Sequence, residues 1–97
     1  MTTAETTPEQ NDNSVAARID DAFVNSLTEF ISDEVAQDDD PIDESTDLLL
    51  TGQVDSLGVV RIVLWIEQSL GIEIDPLDVV LENFQTIGQM AAYLRQR

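Results

Sequence analysis

Residues 54–67, VDSLGVVRIVLWIE, constrain the fold of this chain more than any other stretch. β-Branched residues and a tryptophan in succession favour a buried strand by propensity alone. Geometry decides otherwise. At 100° per residue, Val59, Ile62, Val63, Ile66 and Leu70 fall in one sector about 100° wide, and Gly58, Arg61, Gln68 and Ser69 lie opposite. A strand would set Arg61 on the same face as Val59, Val63 and Trp65, burying a charge without a partner. A helix over 56–70 leaves Arg61 in water, and Gly71 ends it as a left-handed cap.

The other segments follow the same period. Ile19, Phe23, Leu27, Phe30, Ile31 and Val35 recur at spacings of three and four, predicting a helix over 15–36. Residues 37–47, QDDDPIDESTD, form a loop that Pro41 keeps from being helical. Leu48, Leu49 and Leu50 re-enter the core, and Thr51-Gly52 turns the chain toward Asp55. Asp75-Pro76 suits the start of a short third helix over 77–82. A last helix over 87–96 opens with Thr86 and Gln89 as a capping box and presents Ile87, Met90, Ala91 and Leu94 inward. Arg95 and Arg97 complement the dipole at its end. The expected fold is all-α, a small four-helix bundle with a short third helix. Residues 1–14 are polar and aperiodic, which predicts a disordered tail before a single domain over 15–97.

Composition excludes much chemistry. The 97 residues contain no cysteine and no histidine, which removes thiol nucleophiles, thiolate metal sites and the commonest general base. Twenty acidic residues against four basic ones give a net charge of −16. That field repels nucleic acid and anionic lipid and favours basic protein partners. Fourteen of the acids lie in residues 1–47, a charge-rich half that reads as a solvated surface. The acidic loop fails as a calcium site. From Asp38, the sixth position is Asp43 where glycine is needed, and the twelfth is Leu49 where a glutamate is needed. Neither a membrane-spanning run nor a signal-peptide pattern is present, so the expectation is a soluble, cytoplasmic monomer that binds neither nucleic acid nor membrane.

Ser56 stands in the first turn of the 56–70 helix, beside unpaired N–H groups and the positive end of the dipole, where a phosphate is welcome. Taken alone, ordinary capping accounts for both Asp55 and Ser56. The wider stretch adds more. Residues 48–94, LLLTGQVDSLGVVRIVLWIEQSLGIEIDPLDVVLENFQTIGQMAAYL, resemble the acyl and peptidyl carrier proteins, especially small freestanding ones. The matching landmarks are Gly52, the Asp55-Ser56-Leu57 triplet, the apolar helix, Gly71-Ile72-Glu73-Ile74, and Asn83 to Ile87 leading into the last helix. The first helix and its acidic loop match in kind.

The resemblance implies that Ser56 carries 4'-phosphopantetheine, attached from coenzyme A by a phosphopantetheinyl transferase that supplies magnesium and the base. Asp55 would orient that site. An acyl or aminoacyl group would then ride as a thioester on the arm, loaded by one enzyme and passed to a downstream acyltransferase or synthase, with no catalysis by the carrier itself. Fatty-acid carriers present an acidic strip on this helix. Here the outward sector holds Leu57, Gly58, Val60, Arg61, Leu64, Trp65 and Gln68, which form the candidate partner-binding face. Trp65 fits core packing at the helix edge equally well. This departure favours polyketide or nonribosomal-peptide biosynthesis over primary fatty-acid synthesis or cell-envelope alanylation. An unmodified acidic helical adaptor is the alternative from another class.

Overall fold

A computed structural model, which describes residues 15–96, resolves the opening ambiguity in favour of a helix. The described residues form five α-helices: α1 (Val15–Arg18), α2 (Asp21–Phe30), α3 (Ser56–Leu70), α4 (Leu81–Phe84) and α5 (Ile87–Gln96). A π-helical turn, Ile31–Val35, extends α2, and a 3-10 turn, Pro76–Asp78, precedes α4. No strand occurs among the described residues. The expected tail over 1–14 and the expected role of Arg97 lie outside the described residues.

The core forms where the long helices face one another. One buried cluster joins Leu27 and Ile31 with Ile62 and Ile66 of α3 and with Phe84, Ile87, Met90 and Leu94 from the C-terminal part of the chain, all essentially without solvent contact. Each such side chain contributes about 1.5–3 kcal/mol by burial. Gly71 ends α3 with φ 68° and ψ 36°, the left-handed conformation expected of it.

The first and third expected helices are each divided. Where one helix over 15–36 was expected, the chain breaks at Ile19–Asp20. Asp20 takes extended backbone and its carboxylate accepts the Phe23 N–H at 2.9 Å, founding a new helix. The Ile19 carbonyl left open by the break accepts from Arg95 Nε and NH2 at 3.2 and 2.9 Å. At the far end, Ala36 N–H bonds to Ile31 O at 2.7 Å, the wide spacing of a π-turn. In place of a third helix over 77–82, Asp78 draws the chain aside. Its carbonyl accepts from Asn83 Nδ2 and its carboxylate from the Tyr93 hydroxyl, both at 2.8 Å, and Val80 becomes extended.

Two further expectations change in part. Leu48 is fully buried and Leu49 half-buried, but Leu50 is 70% exposed, so the leucine run enters the core only at its start. Thr86 Oγ1 accepts the Gln89 N–H at 3.0 Å as a cap, whereas Gln89 Oε1 is buried without a hydrogen-bond partner, so the reciprocal half of the box is absent.

The acidic loop is held by its own carboxylates. The Asp43 carboxyl is kept below the ordinary carboxylate range by the Ser45 backbone N–H, then by the Ser45 and Thr46 hydroxyls. The Asp47 carboxyl is lowered by the Leu50 N–H and then by the Gln85 side-chain amide, which binds it at 2.7 Å. Both folded-state values lie below the unfolded reference of 3.8, so the stability they contribute is fully present above pH 3.8 and lost as pH falls through the lower folded values. Thermal melts over an acidic series should therefore show Tm falling below that pH. Asp47→Asn should lower Tm at neutral pH and flatten the fall; an unchanged acid profile in the variant would remove Asp47 from the account.

Candidate functional site

The start of α3 is built from two directions. Asp55 has extended backbone, its Oδ1 accepts the Gly58 N–H at 2.8 Å, and its carbonyl accepts the Val59 N–H at 3.0 Å. From the end of the π-turn, Gln37 Nε2 donates to Asp55 Oδ2 at 3.1 Å, while Gln37 N–H donates to the Gln53 carbonyl at 2.8 Å. Both oxygens of Asp55 are thereby fixed. Ser56 is exposed as the first residue of the helix, and no protein hydrogen bond occupies its hydroxyl. The Ser56 and Leu57 N–H groups are left by the Asp55 cap for an anion arriving at the helix terminus. Sequence alone offered no signal for Gln37, which looks like the first polar residue of a loop.

Gly58 departs from its expected outward position. It is buried, and a Cβ placed there would lie 2.8 Å from Val35 Cγ1 and 2.9 Å from Val54 Cγ1. The glycine lets the π-turn and the segment around Val54 press directly on α3. Arg61 lies on the outer face as expected, with its side chain 46% exposed, and it is also bonded to the π-turn. Its NH1 donates to the Glu34 carbonyl, and its NH2 lies 3.8 Å from Glu34 Oε1. Trp65 is half-buried, stacked on Phe30 with centroids 5.4 Å apart and tilted against Phe23 at 5.6 Å. Core packing at the helix edge accounts for it. Also outward on α3 are Leu57 at 68% exposure, Val60 at 52%, Leu64 at 50%, and Gln68. Leu77, Val80 and Leu81 are also exposed apolar residues, which the expected third helix did not reveal.

The arrangement presents a hydroxyl at a helix N-terminus. Asp55 is committed to its cap, and no group of three or more metal-ligating side chains exists among the described residues. A family described as "phosphopantetheine attachment site" matches residues 25–94, well over half of the chain and spanning α3 entire. No curated protein matches the chain.

Two substitutions check this geometry. Gly58→Ala should cost about 1–3 kcal/mol, because Val35 and Val54 must move to admit the methyl. Arg61→Glu should cost about 1 kcal/mol by removing the tether and opposing Glu34. Urea denaturation reads both, with Leu57→Ala as a surface control near zero. A Gly58→Ala protein as stable as the parent would contradict the close approach.

Proposed function

We propose a function for this chain from the premise that it belongs to the phosphopantetheine attachment site family, in which the domain receives a covalent 4'-phosphopantetheine. When bound, the group supplies the thiol on which a carrier holds an acyl unit as a thioester. Our reading is that Ser56 is the attachment residue. The observation that supports it is the exposed Ser56 hydroxyl in the first turn of α3, with Asp55 capping the helix and two N–H groups left for a phosphate.

The residues present fit the group. Asp55 holds the turn, the helix terminus faces the anion, and the hydroxyl is accessible. When the phosphodiester forms, the Ser56 Oγ–H bond breaks, Oγ bonds to phosphorus, and the nucleotide part of coenzyme A leaves. Because the chain has no histidine, the proton goes to a base of the transferase. The chain then acts as a non-catalytic carrier, a cytoplasmic monomer that presents cargo to loading enzymes and to a downstream acyltransferase or synthase. No helix among the described residues is long and apolar enough to cross a membrane.

Leu57, Val60 and Leu64, with Gln68, form the docking face in this reading, and Arg61 acts by holding α3 to the π-turn. An apolar face in place of an acidic strip favours partners from polyketide or nonribosomal-peptide biosynthesis.

Intact mass spectrometry after co-expression with a broad-specificity phosphopantetheinyl transferase is the test. The parent should gain one phosphopantetheine and Ser56→Ala none, with circular dichroism unchanged. A gain in Ser56→Ala would move the site elsewhere; no gain in the parent would leave an unmodified helical adaptor.

A further inference from the structure

Of the hollows along α3, one of about 240 Å³, walled by Phe30, Arg61, Leu64, Trp65 and Gln68, begins beyond the first turn, and two larger ones flank the helix. One of the two, of about 340 Å³, lies between the helix and the segment that follows it, and is walled chiefly by Val60, Val63, Leu64, Ile74 and Val79. Its one carboxylate, Glu67, already accepts the Ile74 N–H at 2.8 Å. The other, of about 450 Å³, lies on the loop side of the first turn and is walled by Leu49, Gly52, Val54, Asp55, Ser56 and Val59.

We propose that the loop-side groove is the resting place of the phosphopantetheine arm, an inference that rests on Ser56 as the attachment residue. Ser56 is itself part of this wall, whereas the other hollow begins at Val60, a full turn further along α3. An arm fixed at Ser56 therefore enters the loop-side groove without crossing the helix surface.

The chemistry of the walls agrees. Pantetheine alternates a carbon bearing two methyl groups with a hydroxyl and two amides. The loop-side groove offers Leu49, Val54 and Val59 to the methyl groups and a more polar wall to the amides, with both oxygens of Asp55 already held by Gly58 and Gln37. The second hollow is apolar along nearly its whole wall, so it would desolvate both amides without partners. The groove also falls within the range of roughly 300–1,000 Å³ usual for small-molecule sites. Its loop wall is open because Gly52 turns with φ 82°, and a Cβ there would meet nothing within 4 Å.

Occupancy has a consequence for docking. An arm in the loop-side groove leaves Leu57, Val60 and Leu64 uncovered, since none of them lines it. An arm in the other hollow would cover Val60 and Leu64, the residues that a partner would meet.

Methyl-labelled protein, loaded enzymatically with an unlabelled arm and checked by mass, tests this by nuclear Overhauser contacts. Cross-peaks from the paired methyl groups of the arm to methyls of Leu49, Val54 and Val59 are expected, together with slower amide exchange at Gly52 than in the unloaded protein. Cross-peaks to Val60, Val63 or Ile74, or no contact with the protein at all, would overturn the inference while leaving Ser56 as the attachment residue. A mass without the arm, or an arm mapped to another residue, would sink both readings together.

Discussion

Guanidinium groups on open carbonyls hold the helices of this protein to one another. Arg95 of α5 donates to Ile19 O at the end of α1. Arg18 of α1 donates to Leu70 O at 2.8 Å and Ser69 O at 3.1 Å, closing the C-terminal end of α3. Arg61 of α3 donates to Glu34 O in the π-turn. Each cation meets the negative end of a helical segment, where carbonyls lack partners and the dipole favours positive charge. In a chain of net charge −16 such cations are scarce, and these three all lie between elements rather than facing outward alone.

The Ser56 end of α3 depends on that tethering. The π-turn is pressed on Gly58 by Val35, tied to α3 through Arg61, and tied to Asp55 through Gln37. One segment thus sets the helix position, the cap geometry and the depth of the approach. The serine follows a turn fixed by these neighbours, so its hydroxyl is presented at a defined place without being drawn into the cap itself.

Much of this was legible along the chain. The period of residues 56–70 gave α3 and its buried face; Gly71 gave its stop; and Asp55 gave its cap. The triplet Asp55-Ser56-Leu57 marked the start of α3, because a cap depends only on residues within the first turn. The errors share one cause. A period of 3.6 says which residues are apolar together, but not where the backbone breaks to accommodate another element. Asp20 is as compatible with the exposed face of a continuous helix as with a cap, and only Arg95 waiting on the Ile19 carbonyl favours the break.

The sequence by itself determined the helical class, the core faces, the polar cap ahead of Ser56 and the large negative charge, because each depends on neighbours within a turn or two of chain. Tertiary structure alone decided that Gly58 is a contact and not surface, that Arg61 is a tether, that Trp65 lies against Phe23 and Phe30, and that Gln37 reaches Asp55. Those partners stand 18 to 42 residues apart, and nothing in a local pattern records which distant atoms come within 4 Å. A glycine or an arginine on a helix has the same periodicity whether it meets water or another helix. The packing of the π-turn on α3 makes that choice.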